Sequence, residues 1–367
     1  MIQSGIQSGT HPGLALILSG FPRRSETFAL HEATALLRAG LLTAVFATQP
    51  GDGLPPQPGS EALLAQVQHL PAGNADQQAA ALLRHLDGRA VAGVHAYFAH
   101  SPTTVAMQVA AQLGVPYGFS MHAKDARKVT PTELNRRARG ATCVVACNRD
   151  VADTITDPTA PVMIIPHGVD LQRFQPTPLP DELPLRLLAV GRLVEKKGFD
   201  RLVRAAANLT FPFTLAIIGD GPEQPHLLHL IETLGLQGQI TLRSGVTHAE
   251  LPAHYANAHL VVVPSVVDRD GDRDGLPNVL LEAMAAGRPV VASDVAAISS
   301  AVIDGESGRL TPPGDVAALA AALNHLAATP ELRRTLAVNG YRRVVQHFAL
   351  SACTERFCNF IANRYAL

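Results

Sequence analysis

Short runs of branched apolar residues alternate along this chain with longer stretches in which apolar positions recur every three or four residues. The short runs have the length and composition of buried β-strands, and the longer stretches have the period of amphipathic helices. In the first half the runs cover residues 14–18, 41–47, 94–98, 117–121 and 143–147, and in the second half residues 185–190, 214–218, 240–242, 260–263 and 289–292. Strand alternating with helix predicts an α/β fold built on open, doubly wound parallel sheets.

The alternation breaks between residues 157 and 184, and residues 175–184 alone hold four prolines. We therefore predict a first domain over residues 1–170, a linker over 171–184 and a second domain from 185 to 345. Ligands of open parallel sheets bind beyond the carboxyl ends of the strands. Two such Rossmann-like domains are expected to face each other across a cleft formed by those ends.

Composition narrows the class of partner. The 30 lysines and arginines balance 31 aspartates and glutamates, and tryptophan is absent, so neither a polyanion-binding surface nor an aromatic platform for nucleic acid is indicated. The four cysteines lack the spacing of a zinc site or a disulfide framework. Neither a signal peptide nor a transmembrane segment is recognisable. The expectation is a cytoplasmic protein, at most peripheral to the inner membrane surface.

The stretch with the most candidate binding residues is PSVVDRDGDRDGLPNVLLEAMAAGRPVVAS, residues 264–293. It predicts a strand, an Asp-rich loop and a helix that starts at Pro277. Asp274 precedes that helix, and Asn278 and Glu282 share one of its faces. The helix N-terminus favours an anion such as phosphate, and a carboxylate can accept hydrogen bonds from a diol. Together these groups indicate a nucleotide sugar, although a solvated amphipathic helix remains the alternative. The aspartates do not have the spacing of an EF-hand, so we do not expect a calcium loop of that kind.

Two further loops follow strands of the second half. Arg192 and Lys197 lie in GRLVEKKG, where two cations could hold a diphosphate or simply face solvent. Gly219 and Gly221 end the next strand and permit close backbone approach. Neither a GxGxxG nor a GxxxxGK[ST] motif is present, which argues against a simple dinucleotide or P-loop site.

In the first half, several polar residues fall at predicted strand ends. His122 is the strongest candidate for contact with a reacting group, because histidine can exchange protons near neutral pH. A structural role for a lone histidine is the alternative. The other candidates are Ser25, Glu26, His95 and Asp125. A basic cluster between Lys124 and Arg139 indicates a solvated face or, alternatively, an anionic membrane surface or a pyrophosphate-bearing acceptor.

Taken as a set, GRLVEKKG, IIGDGP, VVVPS, DGLPNVLLEAMAAGRPVVAS and ESGRLTPPGD resemble the family four glycosyltransferases. More loosely, FPRRSETFALHE, HAYFAHSPTTVA, FSMHAKD and IPHGVDLQRF are similar to the branch that builds exopolysaccharides such as colanic acid. The resemblance implies the two-domain GT-B fold. It also implies retaining, metal-independent sugar (hexosyl) transfer from a UDP- or GDP-sugar to a glycan or lipid-linked acceptor. The last helix, residues 347–367, resembles the one that crosses back to the first domain.

The resemblance also implies roles for individual residues. Arg192 and Lys197 would bind the donor diphosphate, Glu282 the ribose hydroxyls, and His122 and Asp274 would face the donor sugar. The segment Gly275, Leu276, Pro277 and Asn278 would complete the donor site with Gly219 and Gly221. The loop at Ser25, Glu26 and Thr27 would approach the acceptor or the diphosphate.

Two departures from the family pattern fall on the donor side. Asp274 stands where a longer glutamate is usual, and Ala296-Ala-Ile-Ser-Ser300 replaces a segment with two glycines and a glutamate. These changes keep open the alternative of a GT-B protein that binds nucleotide without transferring sugar, as a partner subunit. A sugar-nucleotide epimerase on the same fold is a further, weaker alternative.

Overall fold

The computed structural model describes residues 12–23, 26–57, 59–122, 126–157 and 159–367. The chain divides into two compact units. One contains the described residues up to His167 together with Ala352–Leu367, and the other contains Gly168–Ser351. Residues 171–184, predicted as a linker, therefore belong to the second unit, and residues 352–367 belong to the first.

The first unit is built on a seven-stranded sheet in the order β3-β2-β1-β4-β5-β6-β7, in which every neighbouring pair is parallel. Its strands are β1 Leu14–Phe21, β2 Leu42–Pro50, β3 Val67–His69, β4 Gly93–Tyr97, β5 Tyr117–Met121, β6 Cys143–Ala146 and β7 Val162–Ile164. Its helices are α1 Thr27–Arg38, α2 Glu61–Leu64, α3 Ala75–Leu86, α4 Ser101–Leu113, α5 Pro131–Gly140 and α6 Arg149–Ala152. The C-terminal helix, Leu350–Tyr365, ends in this unit.

Both faces of this sheet are covered by apolar side chains. Leu14, Leu16 and Leu18 on β1 pack in a cluster with Phe357 and Ile361 of the C-terminal helix. The alternate β1 residues join a second cluster with helices α3 and α4 on the opposite face. All eight residues of β1 are buried, as expected of a central parallel strand.

The second unit contains a six-stranded sheet in the order β10-β9-β8-β11-β12-β13, again parallel throughout. Its strands are β8 Leu185–Val190, β9 Phe213–Ile218, β10 Ile240–Arg243, β11 Leu260–Val263, β12 Val290–Ser293 and β13 Arg309–Thr311. Its helices are α7 Phe199–Ala206, α8 Gln224–Thr233, α9 Leu251–Asn257, α10 Asn278–Ala285, α11 Ile298–Ala301, α12 Val316–Ala328 and α13 Pro330–His347, with a 3-10 turn at Glu195–Lys197.

The two strand orders confirm the predicted doubly wound sheets. In each sheet the chain runs outward in one direction from a central strand and then returns to the other side of it. The direction reverses between β1 and β4 in the first sheet and between β8 and β11 in the second. Ligands of such sheets bind in the crevice at this reversal point.

Several elements were not predicted from the sequence, namely strands β3 and β13 and helices α5, α6 and α11. Both strands are three residues long and lie at sheet edges, where pairing with one neighbour rather than an apolar run defines them. Among the described helices, none combines the length and the apolar character needed to cross a bilayer.

Candidate functional site

The reversal point of the second sheet gathers the loops that carry the strongest sequence motifs. Strand β8 leads into residues 191–198, and its neighbour β11 leads into residues 264–277. Gly198 lies so close to the second loop that an added Cβ would be 2.0 Å from the carbonyl oxygen of Pro264. The Val266 amide donates to the Lys196 carbonyl at 2.9 Å. Residues far apart in sequence are therefore held together by backbone contacts.

Lys197 and Asp274 meet at this point. The Lys197 ammonium nitrogen is 2.7 Å from Asp274 Oδ2, and the buried Ser265 hydroxyl donates to the same oxygen at 2.9 Å. Both charged side chains are largely buried. The structure thus brings together two residues assigned separately to the diphosphate and to the donor sugar, and it engages each with the other.

Lys196 is a second cation that the sequence reasoning did not single out. Its ammonium nitrogen is 3.0 Å from Asp272 and 3.7 Å from Asp274 Oδ1. Asp274 is therefore flanked by two lysines, whose positive charges balance the negative charge of the Asp-rich loop. The adjacent lysines in VEKKG were the signal that could have indicated both residues.

Arg192 differs from these lysines. Its side chain is exposed, and no hydrogen bond or ion pair joins it to the part of the chain that the structure describes. An arginine with an unused guanidinium fork next to the Lys197 turn remains able to bind phosphate oxygens in a bidentate manner.

Gly219 and Gly221 serve first to let two loops approach. A Cβ at Gly219 would lie 1.9 Å from the Gly191 carbonyl oxygen, and one at Gly221 would lie 2.3 Å from the Leu193 carbonyl oxygen. Gly219 also has a φ of +153°, which favours glycine. The two glycines thus shape the loop that carries Arg192.

The start of α10 forms the other wall of the candidate site. Gly275, Leu276 and Pro277 lead into the helix, whose first residue is the exposed Asn278 rather than Pro277 as predicted. The extended backbone of Pro277 places it at the N-cap. The Leu280 amide donates back to the Pro277 carbonyl at 3.1 Å, so the amides before it, at the start of the helix, are the ones that an anion could bind.

Glu282 is buried one turn further along α10, and both of its carboxylate oxygens are engaged. His248 Nε2 contacts Oε1 at 3.1 Å, and the buried Tyr255 hydroxyl donates to Oε2 at 2.9 Å. Arg173 in turn donates to His248 Nδ1, so His248 carries its proton on Nε2 and donates it to Glu282. Burial and the neighbouring Glu282 raise the pKa of Tyr255 well above its usual value. These partners orient the Glu282 carboxylate.

The second departure from the family pattern, at residues 296–300, has a visible structural consequence. Ala296 adopts a left-handed backbone with a φ of +53°, a conformation in which glycine is favoured. The next residue, Ala297, donates its amide to the Gly275 carbonyl at 3.2 Å, so this turn lies against the start of α10. The Ser300 hydroxyl donates to the Ala297 carbonyl at 2.6 Å, within its own turn.

In the first unit, His122 follows β5 directly and is buried. Its Nδ1 is 3.1 Å from Nε2 of His167, and His167 Nδ1 is 3.4 Å from Glu32 Oε1. Tyr97 donates to the second oxygen of Glu32. Burial, reinforced by His167, lowers the pKa of His122 well below its usual value, so the ring is neutral at neutral pH. Of these partners, His167 could have been found from its place in the PHG turn after a strand.

The remaining first-unit candidates do not form one site. His95 is a correction to the sequence prediction: it lies inside β4, fully buried, between the Ser120 hydroxyl at 3.0 Å and the Tyr365 hydroxyl at 3.1 Å. Burial lowers its pKa to about 3, which makes it a core residue. Glu26 pairs with Arg23 at 3.1 Å at the start of α1, just before Thr27.

Ser25 and Asp125 lie outside the described residues.

The basic cluster is largely paired. Arg127 contacts Asp150 at 3.0 Å, Arg136 and Arg137 both contact Glu133 at 2.7 Å, and Arg139 contacts Asp157 at 2.6 Å. Hydrogen bonds from the two arginines lower the pKa of Glu133 to about 2. The pairing favours the solvated-face interpretation over an anionic membrane surface.

A pocket of about 360 Å³ opens beyond the carboxyl end of β2, between the starts of α3 and α4. Its walls contain hydroxyl and amide side chains but no charged one. The polar side chains are Thr48, Gln49, Asn74, Gln78, Ser101 and Thr104.

Comparison with known proteins now places the chain. Residues 25–173 match the family described as Glycosyltransferase Family 4, and residues 184–329 match the one described as Glycosyl transferases group 1. Both are glycosyltransferase families, and each matches one half of the chain. The sequence resemblance is thereby confirmed for both halves.

Individual relatives agree with this family. The chain is 27% identical to the putative colanic acid biosynthesis glycosyltransferase WcaL of Escherichia coli, over 84% of this chain and 88% of that protein. It is 33% identical to a GDP-mannose-dependent phosphatidylinositol monomannoside mannosyltransferase of Mycolicibacterium smegmatis, over 66% of this chain and 65% of that protein.

Solved structures show the same fold. Sucrose-phosphate synthase from Thermosynechococcus elongatus matches with a TM-score of 0.79 at 23% identity, over 97% of this chain and all of that one. Anabaena HepE in complex with UDP also matches with a TM-score of 0.79, at 19% identity, over 96% of this chain and all of that one. The GT-B fold that the resemblance implied is confirmed for this glycosyltransferase.

Proposed function

We propose that this glycosyltransferase moves a hexosyl residue from a nucleoside diphosphate sugar to a glycan or lipid-linked acceptor, with retention of the anomeric configuration. The observation that supports it best is the convergence of Lys197, Asp274 and the start of α10 at the reversal point of the second sheet. Arg192 with its unused guanidinium, Lys197 and the α10 amides would hold the diphosphate. Glu282, oriented by Tyr255 and His248, would accept hydrogen bonds from the ribose hydroxyls.

The chemistry in this proposal is leaving-group stabilisation. As the bond from the anomeric carbon to the diphosphate oxygen breaks, negative charge grows on the diphosphate. Arg192, Lys197 and the helix amides are cationic or dipolar groups that favour that charge, so no metal ion is invoked. Asp274 and His122 would contact the transferred sugar. The acceptor hydroxyl would attack the anomeric carbon from the face that the diphosphate leaves, and its proton would pass to the departing diphosphate oxygen.

The donor and acceptor classes follow from separate observations. HepE binds UDP and UDP-glucose, and the mycobacterial relative uses GDP-mannose, so we propose a UDP- or GDP-sugar as donor. For the acceptor, the uncharged polar pocket beside α3 and α4 suits the hydroxyl groups of a neutral glycan segment. The colanic acid and amylovoran names among the relatives support a role in exopolysaccharide synthesis.

The test is a thermal-shift panel with UDP, GDP, ADP and their hexose conjugates in the presence of EDTA, followed by transfer assays with any donor that binds. A ligand at 100 times its Kd stabilises the folded state by about 2.7 kcal/mol. We expect one nucleotide to stand out, and we expect the Arg192→Ala variant to lose both its shift and transfer. The product should keep the anomeric configuration of the donor by NMR.

A matched control is Arg204→Ala. Arg204 is also an exposed arginine of the second unit, but it lies in the last turn of α7, at the opposite edge of the sheet. The Arg204→Ala variant should retain both the nucleotide-induced thermal shift and sugar transfer. Equal behaviour of the two variants would refute the diphosphate role of Arg192.

A nucleotide-binding partner subunit is a second candidate, favoured by the Lys197–Asp274 pair and by the left-handed Ala296 on the donor side. It predicts a nucleotide-dependent shift without transfer to any acceptor. An epimerase, the weaker alternative, would convert the donor sugar with no acceptor present.

A further inference from the structure

We propose that Glu32, Tyr97 and His167 form a hydrogen-bonded array that fixes the tautomer of His122, so that the ring presents Nε2 as a hydrogen-bond acceptor to the transferred sugar. Glu32 and His167 are then positioning residues of the reaction. The inference deepens the proposed function, because it rests on His122 contacting the sugar.

The array is a continuous chain of contacts within the first unit. It runs from the Tyr97 hydroxyl to Glu32 Oε2, from Glu32 Oε1 to His167 Nδ1 at 3.4 Å, and from His167 Nε2 to His122 Nδ1 at 3.1 Å. Tyr97, Glu32 and His122 are buried. Its members come from β4, α1, the turn after β7 and the end of β5. Tertiary structure alone assembles it.

The direction of the hydrogen bonds follows from the chemistry of the groups. An ionised carboxylate only accepts, so Glu32 requires the proton of His167 to be on Nδ1. In a neutral imidazole, Nε2 of His167 then carries a lone pair and must accept from Nδ1–H of His122. His122 is left with Nε2 as its unprotonated nitrogen. One carboxylate thus sets two tautomers in series, in the way that a buried aspartate orients the histidine of a serine protease.

Aromatic packing holds the rings in this arrangement. Phe28 lies against both imidazoles, with centroid distances of 4.3 Å to His122 and 4.4 Å to His167. Tyr97 stacks on His122 at 5.9 Å, and Phe98 meets it edge-on at 5.2 Å. Phe98 has a φ of +81°, a strained conformation for a bulky residue, and such strain clusters at functional sites. The packing therefore favours the ring orientation in which Nδ1 of His122 faces Nε2 of His167.

A metal ion is the competing occupant of this cluster. The Cys147 thiol and one nitrogen of each histidine lie within 4.8 Å of one another, and these are ligand types that zinc takes. The contact between the two ring nitrogens favours the array, because a metal would require both lone pairs to point at the ion rather than one N–H to point at the other nitrogen. Measuring the zinc content of the purified protein distinguishes a metal site from the hydrogen-bonded array.

The consequence for the reaction concerns hydrogen-bond direction. In a neutral His122 with an unprotonated Nε2, that nitrogen would accept a hydrogen bond from a hydroxyl group of the sugar. The opposite tautomer would present N–H to the same hydroxyl and leave the His122–His167 contact without a proton. A change of tautomer therefore affects turnover more than donor binding, since most of the donor affinity comes from the nucleotide and diphosphate.

The first experiment needs no variant of the array. Wild-type protein labelled with 15N-histidine is examined by NMR, and His122 is assigned by the signal that disappears in the His122→Gln variant. We expect both His122 and His167 in the Nδ1–H tautomer. An Nε2–H tautomer on His122 in the folded wild type would overturn the proposal.

The second experiment measures turnover. In Glu32→Gln the amide can present N–H to His167, which reverses both tautomers. We expect kcat to fall roughly 10- to 100-fold with the donor KM within about threefold, and the NMR tautomer of His122 to reverse. Tyr97→Phe should have a smaller effect in the same direction.

The matched control is Tyr365→Phe. Tyr365 is also a buried tyrosine of this unit, but its hydroxyl contacts His95 and Val94 outside the array. It should keep wild-type kcat.

Folded Glu32→Gln protein with wild-type kcat and an unchanged His122 tautomer would overturn the proposal. The proposal would also be overturned if the wild type held one equivalent of bound zinc and the His167→Gln and Cys147→Ser variants did not. If the wild type transfers no sugar from any donor, the proposed function fails, while the NMR measurement still decides whether the array exists.

Discussion

At the scale of single residues, three charged donor-side candidates, Lys197, Asp274 and Glu282, are already partnered within the protein. Lys197 is bound by Asp274, and Glu282 is bound by His248 and Tyr255, while Arg192 is unpaired among the described residues. A diphosphate would have to share Lys197 with Asp274. Although aspartate is shorter than the usual glutamate, its carboxylate has partners here, because Ser265 and the two lysines contact it.

Ala296 is the residue at which sequence and backbone disagree most directly. Its left-handed conformation costs an L-residue roughly 1–2 kcal/mol, part of which glycine loses again through its greater freedom in the unfolded chain. We expect Ala296→Gly to raise the free energy of unfolding of the second unit by about 0.5–1 kcal/mol in urea denaturation.

The control for this change is Ala321→Gly, an exposed alanine inside α12, which should lower the free energy of unfolding by about 1 kcal/mol. Loss of stability in Ala296→Gly would contradict the left-handed conformation at that position.

At the scale of elements, the loops that follow strands depend on one another more than on their own helices. The loop after β8 contacts the loop after β9 through Gly219 and Gly221, and the loop after β11 through Gly198. The position of Arg192 and Lys197 is thus set by neighbouring strands.

Gly219→Ala tests this dependence. The new methyl group would lie 1.9 Å from the Gly191 carbonyl oxygen, so the Arg192 loop must shift. We expect the free energy of unfolding to fall by about 2 kcal/mol or more in urea denaturation. The matched change Gly238→Ala meets no atom within 4 Å and should alter stability by less than about 0.5 kcal/mol. Equal effects of the two variants would show that the loops do not approach each other as described.

At the scale of the whole molecule, the cores hold neutral histidines that resist protonation. His95 lies fully buried in the central sheet of the first unit with its pKa lowered to about 3. Its unfolded value is about 6.5, so between these values the unfolded state binds more protons than the folded state. The stability that this neutral histidine contributes is therefore lost as the pH falls from about 6.5 towards 3.

Between pH 7 and pH 5.5, this one group should reduce the free energy of unfolding by about 1 kcal/mol. We expect the difference in stability between the two pH values to be smaller by that amount in His95→Gln than in the wild type, measured by urea denaturation. An identical pH dependence in the two proteins would place His95 in contact with solvent.

Much of the fold could be predicted because its elements are locally encoded. The apolar run at Leu260–Val263 and the helical periods of α3 and α12 each carry their own pattern, and the alternation of the two fixes the parallel sheets. The sequence did not predict β3 and β13, which are three-residue edge strands that form by pairing with β2 and β12. The family also followed from the sequence, since its motifs are contiguous.

Tertiary structure decided which of those residues act together. Lys197 meets Asp274 across 77 positions, and His167 meets His122 across 45 and Glu32 across 135. Tertiary structure also buried His95, which was expected at a strand end facing the ligand, in the core, and it paired most of the basic cluster. Periodicity and motifs report what each segment forms, because those preferences arise within a few residues. Contacts between strand ends, burial and hydrogen-bond direction depend on sheet order, which no short stretch of sequence contains.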